Sequence, residues 1–298
     1  MNNPKIGAVV VLYKPDLKVT KQVIKSISSQ VEEICIVDNT PNQNIKEEFL
    51  SIINIHYLSL GENKGIAAAQ NIGISYLKNK NFEFVLFCDQ DSLAPSDTVK
   101  KLFDGYRILK NEGIRIATVG TRAINKLTGE KYRSRTKELG NPLNPKNYRN
   151  QYCKITECYS VMSSISLTLI NNFEEVGPFD ETLFIDGVDD EWCWRAWHFK
   201  KLRSFIIENA TIMHMLGEKD SFLGKNISIS TPFRIYFQFR NFIILARKDT
   251  TPRFWKRNNL IKYLIKMIYY PLFVSPRLSY LNKIISGIKD GFNNHKIK

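Results

Sequence analysis

The chain is poor in the residues that hold small folds together covalently. Five cysteines (Cys35, Cys88, Cys153, Cys158 and Cys193) are scattered through 298 residues, odd in number and without a Cys-x-x-Cys pair. That pattern excludes a disulfide scaffold and a cysteine-based zinc site, and it fits a reducing cytosol. Fifteen glycines and eleven prolines are too few for a collagen-like or low-complexity chain. No apolar stretch approaches the roughly 18 residues that a membrane-crossing helix needs. The first apolar run, residues 6–13, is short and lacks a basic flank or a small-residue cleavage site, so no export signal is expected. Acids are also outnumbered, with 29 Asp+Glu against 43 Lys+Arg for a net charge of +14. A hydrophobic fraction of 43 % nevertheless predicts a folded chain with a sizeable core, as one large α/β domain with appendages or as two small domains.

The excess positive charge is concentrated at one end. From Arg253 onward ten Lys and Arg face Asp290 alone, so this segment carries +9 of the +14. It sets Lys256, Lys262 and Lys266 among Leu260, Ile261, Leu264, Ile265, Ile268, Tyr269 and Tyr270, a spacing that predicts an amphipathic helix stopped by Pro271. A basic helix of this kind suits an anionic leaflet, with lysines snorkelling from a buried apolar face. The alternative is a helix docked on the protein's own core with a solvated basic face. No helix-turn-helix, zinc-finger or RNA-recognition signature accompanies the charge, which argues against a nucleic-acid partner.

The first half alternates between β-rich apolar runs and helical spacing. Residues 6–13, 33–38, 53–60, 82–88 and 114–120 read as strands, and 16–30, 66–77 and 97–110 as helices. Unbroken apolar strands between helices predict a mainly parallel sheet covered on both faces, whose ligands sit beyond the carboxyl ends of the strands. Tyr13, Asp38-Asn39 and Asp89-Gln90-Asp91 stand at those ends. Two acids at i and i+2 point the same way and repel unless a cation lies between them, and oxygen ligands suit Mg²⁺ or Mn²⁺. Between them, residues 61–74 place Asn63, Lys64 and Gly65 before a helix opened by three alanines. Helix-start N–H groups with a lysine favour a diphosphate; a tight turn with close helix packing accounts for the same residues.

The second half gathers Asp180, Glu181, Asp186, Asp189, Asp190 and Glu191 just ahead of Trp192, Trp194 and Trp197. With a helix starting near Asp189, the dipole is expected to hold that carboxylate's pKa low and leave it able to take a proton from an attacking hydroxyl. Trp192 and Trp194 are candidates for a sugar platform, and Arg195 for orienting the acids or for a plain surface ion pair. His214 ends a further apolar segment; a satisfied core histidine or a metal ligand beside Asp91 both fit.

Taken in order, VVVLYKP, CIVDN, GENKGIAAAQNIGI, FCDQDS, VGPFDETLFIDGVDDEWCWRA, TIMHMLG and FRIYFQFRNFIILARK make residues 5–248 resemble the inverting family 2 glycosyltransferases of GT-A fold, and among them the bacterial rhamnosyltransferases of O-antigen and capsule assembly. The resemblance implies a GT-A domain over 1–248, with a donor half to about 121 and an acceptor half from 122, followed by the basic helical segment 249–298. It implies that Tyr13, Asp38 and Asn63 hold the nucleotide base and ribose while Gly65 keeps the loop close. Asp91 would bind Mg²⁺ or Mn²⁺, Asp89 would face the ribose or the metal through water, and His214 would add a metal ligand. Asp189 matches the general base. Val188 replaces the Glu of the family's Glu-Asp motif, which leaves Asp190 and Glu191 as rival bases. Trp192, Glu191 and Arg195 fall on the acceptor side, where Ser164 stands in place of a common Gly. Residues 122–158 read as a loop-rich acceptor-side insertion.

The implied donor is dTDP-β-L-rhamnose and the implied acceptor a polyprenyl-diphosphate-linked saccharide. The implied location is cytoplasmic and peripheral, on the anionic inner face of the cell membrane; a homodimer is compatible with it. A transferase using UDP-galactofuranose or a UDP-hexose, and a non-catalytic protein that binds nucleotide or glycan at a membrane, are the competing readings.

Overall fold

The computed structural model describes residues 4–124, 131, 137–140, 154–214, 220–222, 225–227 and 229–293; the side chain of His214 and those of residues 220–227 are outside the description. The chain runs through β1 (Ile6–Leu12), α1 (Leu17–Ser28), β2 (Glu33–Asp38), β3 (Ile55–Ser59), α2 (Ile66–Asn79), β4 (Phe84–Asp89), β5 (Ser92–Leu93), α3 (Thr98–Asn111) and β6 (Ile116–Ile124). It continues as β7 (Glu138–Gly140), β8 (Ile155–Cys158), β9 (Ser166–Leu169), α4 (Asn171–Val176), α5 (Val188–Lys200), β10 (Arg203–His214), β11 (Asp220–Phe222) and β12 (Lys225–Ile227). Three helices follow: α6 (Pro232–Arg247), α7 (Arg253–Phe273) and α8 (Arg277–Asn293).

Among the described residues ten strands form one sheet in the order β3-β2-β1-β4-β9-β6-β10-β8-β7, with β5 attached to β10. β3, β2, β1 and β4 are mutually parallel, β6 and β10 are parallel, and β9 is antiparallel to both β4 and β6 between them. The mainly parallel sheet read from the sequence is therefore present. The central strands β1, β2 and β4 are almost wholly apolar because both faces are covered. Ala8, Val10 and Leu12 of β1 join Ile24 and Ile27 of α1 and Leu102 of α3 in one cluster, while Val9 joins Ala69 and Leu77 of α2 and Trp192 of α5 in the other. Each fully buried Ile or Leu in these layers contributes about 1.5–3 kcal/mol.

The insertion expected over 122–158 is described only in part. β7 and β8 extend the sheet edge through β10, and residues 125–130, 132–136 and 141–153, Cys153 among them, lie outside the described residues.

α6 packs along α8, and Tyr270 and Val274 join Ile235, Phe239, Tyr280 and Ile284 in a separate apolar cluster. Pro271 does not stop α7. It removes one N–H near the helix end, the following turn still closes through Val274 N–H to Tyr270 O at 3.1 Å, and the helix reaches Phe273. The face of α7 turned away from the protein is its apolar one: Ile261, Ile265 and Ile268 are 57, 62 and 60 % exposed. Docking of this face on the protein's own core is thereby excluded. No helix among the described residues is long and apolar enough to cross a membrane.

Candidate functional site

The parallel register brings the ends of β1, β2 and β4 together, with Leu12 opposite Asp38 and Val11 opposite Asp89. Gln90 ties two of these ends: its Oε1 accepts from Tyr13 N–H at 2.9 Å and its Nε2 donates to Tyr13 O at 3.2 Å. Tyr13 itself stays 39 % exposed.

Asp38 stands at the end of β2. It is fully buried, and its carboxylate accepts from Thr40 N–H at 3.0 Å and from the Tyr57 hydroxyl. In this arrangement the carboxylate orders the turn after β2. The next residue does the clasping. Asn39 Nδ2 donates to Asn63 Oδ1 at 2.9 Å, Lys64 N–H donates to Asn39 Oδ1 at 2.8 Å, and Gly65 N–H donates to Asn63 Oδ1 at 3.0 Å.

The start of α2 is committed to the protein as well. Ile66 N–H donates to Phe184 O at 2.7 Å, so the N–H groups of residues 64–66 are engaged within the protein, as the tight-turn reading expects. Gly65 sits at φ +85°, and a Cβ on it would lie 2.6 Å from the Phe184 ring and 2.7 Å from Phe184 O. It permits close approach to the turn before α5.

That turn carries the acids. Phe184, Asp186 and Gly187 all have positive φ, a strained path held by Asn241 of α6, whose Nδ2 donates to the carbonyls of Leu183, Ile185 and Asp186 at 2.6–2.9 Å. Arg234 of α6 pairs with both oxygens of Asp186. α5 then starts at Val188 and presents Asp189 in its first turn.

The loop before β9 joins the acids of the two halves. Ser163 donates to Asp189 Oδ2 from its N–H at 3.1 Å and its hydroxyl at 3.3 Å. The hydroxyl of the following residue, Ser164, donates to Asp89 Oδ2, and the Ser160 hydroxyl donates to Asp190. Two consecutive residues thus hold the candidate base and the first acid of the DxD pair. Ser160, Ser163 and Asn241 were missed in the sequence, where the run YSVMSSIS was the available signal for the serines; Asn39 was placed at its strand end but not in this clasp.

Burial, with the like charges of Asp89 and Asp190 added, pushes the Asp189 carboxyl up to about 7 against the opposing hydrogen bonds from Ser163. The low value expected from the helix dipole is overturned. A dipole acting on a surface carboxylate is worth about 0.3–1 kcal/mol, and several units of pKa correspond to several kcal/mol. Asp190 is raised too, again by burial, with Ser160 and the Lys262 charge opposing.

The remaining acceptor-side residues are structural. Trp192 and Trp194 are each 2 % exposed; Trp192 packs against the Phe173 ring at a tilt and its Nε1 donates to Gly177 O at 2.9 Å, so both indoles belong to the core. Glu191 is 1 % exposed and pairs with Arg195 and Lys248, each at 2.9 Å. It is neither a base nor an acceptor ligand. Arg195 also donates to the carbonyls of Val176 and Pro178, bracing the turn from α4.

Asp89 and Asp91 are half-buried at the end of β4 and in the turn after it. Their all-oxygen donors suit a hard dication, and the repulsion that Asp89 exerts on Asp189 is what a cation would offset. The backbone of His214 pairs with Ser92, next to Asp91; its side chain lies outside the described residues. Among the described residues no three His, Cys, Asp or Glu side chains form a metal cluster. The four described cysteines are buried and free, and burial pushes the Cys35 and Cys193 thiols up to about 12.

This arrangement has relatives. In folds already solved, the chain is similar to GalNAc-T7, crystallised with UDP, GalNAc and Mn²⁺ (TM-score 0.58, 15 % identity, 92 % of this chain and 58 % of that one), and to residues 1–349 of TarS from S. aureus (TM-score 0.54, 16 % identity, 95 % and 81 %). In sequence it is 26 % identical over 276 residues to the low-salt glycan biosynthesis hexosyltransferase Agl10 of Haloferax volcanii, covering 89 % of this chain and 79 % of the relative. It is 33 % identical over 298 residues to the dTDP-rhamnosyl transferase RfbF of Shigella flexneri, covering 97 % of this chain and 96 % of the relative. The family model described as glycosyl transferase family 2 matches residues 8–173, the stretch that builds the donor-side strands and both serines of the acid-holding loop. With more than half the chain inside that model and an end-to-end relative at this identity, the chain belongs to glycosyl transferase family 2.

Proposed function

We propose that the protein transfers L-rhamnose from dTDP-β-L-rhamnose, with inversion, to a polyprenyl-diphosphate-linked saccharide during cell-surface polysaccharide synthesis. The observation that carries this reading is the pair of adjacent serines that tethers Asp189 and Asp89 to one loop. The dTDP-rhamnosyl transferase relative supports the choice of donor.

Asp189 takes the proton of the acceptor hydroxyl as that oxygen attacks the anomeric carbon on the face opposite the diphosphate. Its raised proton affinity suits a base working near neutral pH. Ser163 keeps the carboxylate aimed, Tyr13 stacks on the base, and the Asn39–Asn63 clasp shapes the ribose edge. Asp91 and Asp89, with His214 as a further ligand, would hold Mg²⁺ or Mn²⁺, whose charge stabilises the departing diphosphate when bound.

The exposed apolar face of α7, flanked by Lys256 and Arg257, supports peripheral binding to the anionic inner leaflet. This gives the chain a cytoplasmic, membrane-surface location where a lipid-linked acceptor is presented.

The deciding assay supplies dTDP-β-L-rhamnose, Mn²⁺ and a synthetic lipid-diphosphate saccharide. Rhamnosylated product is expected from the wild type. Asp189→Asn should bind dTDP normally and lose turnover by about 10³-fold. Product formed only from a UDP-hexose, the donor class in keeping with the hexosyltransferase relative, would overturn the donor assignment. Turnover unaffected by Asp189→Asn would overturn the base.

A further inference from the structure

Beside the acid-bearing turn, α7 and the edge of the sheet enclose a polar cleft of about 1310 Å³. Its described lining carries seven Lys and Arg against four carboxylates, and the carboxylates are already engaged. Glu208 and Glu138 pair with Arg122, Asp186 with Arg234, and Asp190 accepts from Ser160. Of the cations without a carboxylate partner among the described residues, Lys137 and Lys154 lie by the sheet edge and Lys262 and Lys266 lie on one face of α7. Lys262 has no hydrogen-bond or ion-pair partner among the described residues, and Lys266, one turn on, donates to the neutral Gln238 side chain. Burial and then the neighbouring Lys262 charge pull the Lys266 ammonium down to about 8, against the opposing charge of Asp186.

The polarity of α7 is inverted relative to an ordinary surface helix. Asn259, Lys262, Tyr263 and Lys266 line the cleft, while Ile261, Ile265 and Ile268 face outward. An α-helix with its side chains is about 10 Å across. A lipid chain lying against the outer face therefore has its head group within reach of the inner one.

We infer that Lys262 and Lys266, backed by Arg234, form a diphosphate subsite that seats the acceptor's lipid-linked head beside Asp190, the residue that follows the candidate base in α5. Tyr13, Asn63, Asp89 and Asp91 do not line the cleft; of the two neighbouring acids at the start of α5, Asp190 lines it and Asp189 does not. Two phosphoryl groups match two ammonium groups one turn apart on a helix, with the Arg234 guanidinium already fixed by Asp186. This subsite rests on the acceptor class proposed above and is independent of the donor sugar.

The test is binding of farnesyl diphosphate, inorganic pyrophosphate, farnesol and dTDP to the full chain in EDTA, by calorimetry, for the wild type, K262A/K266A and K262R/K266R. Farnesyl diphosphate and pyrophosphate should each lose at least about 10-fold in affinity in the alanine pair and keep it in the arginine pair, with dTDP unchanged. Farnesol should be insensitive to either pair. Loss for farnesyl diphosphate with none for free pyrophosphate would still assign the site, as one that reads the lipid-borne group. Unchanged farnesyl diphosphate affinity in the alanine pair overturns the inference, as does an equal loss for dTDP, which would give the lysines to the donor. If the subsite behaves as expected and no rhamnose is transferred, the donor reading fails and the subsite stands.

Discussion

Asp189 carries the consequence of being both charged and desolvated. In the unfolded chain its carboxyl titrates near the ordinary 3.8, and in the folded protein near 7. Between these values the folded state holds a proton that the unfolded state has released. The stability this group contributes is therefore full below about 4 and lost as pH rises through about 7. Two outcomes follow. The acid limb of kcat/KM should fall about tenfold per pH unit below roughly 7, measured with donor and acceptor subsaturating. Asp189→Asn should be more stable than the wild type at pH 8, by roughly 1–3 kcal/mol in urea unfolding, and equal to it near pH 4. A variant less stable at pH 8 would mean that the buried charge is already compensated. The acids themselves were legible in the sequence; their partition was not. Glu191 and Asp189 are two residues apart on one helix, yet only one points at the crevice, and the other is consumed by Arg195 and Lys248.

Elements explain why single positions in the turns matter. The loop before α2 and the turn before α5 are distant in the sequence and meet at Gly65 and Phe184. Gly65→Ala would force a side chain into a backbone region that essentially only glycine occupies and into the Phe184 ring. We expect a loss of roughly 3 kcal/mol in unfolding free energy together with a drop in turnover, since the turn that aims Asp189 would shift. Unchanged stability would show that the turn yields freely. Most strands and helices of the first half lie within two or three residues of where apolar periodicity puts them, because a strand buried on both faces favours an almost unbroken apolar run. Helix starts were harder. In the sequence Asn63, Lys64 and Gly65 fit an anion cradle and a tight turn equally well, and only the fold shows Phe184 O accepting the Ile66 N–H.

At the scale of the whole molecule, the outward apolar face of α7 is the feature most exposed to test. I261E/I265E should abolish co-sedimentation with vesicles of 30 % phosphatidylserine, where the wild type is expected to bind, while thermal stability stays within a degree or two, because both side chains already face solvent. Binding that survives the two glutamates would place the contact elsewhere. The amino-acid sequence alone determined the α/β class, the mainly parallel sheet, the strand-end acids and the basic amphipathic tail, since each follows from local spacing, and local spacing is what periodicity reports. Tertiary structure alone decided which acids are buried, which indoles belong to the core, what Asp38 and Gly65 touch, and which way α7 faces. Those outcomes depend on contacts between residues far apart in the chain and on the solvent that folding removes, and neither is written in any one segment.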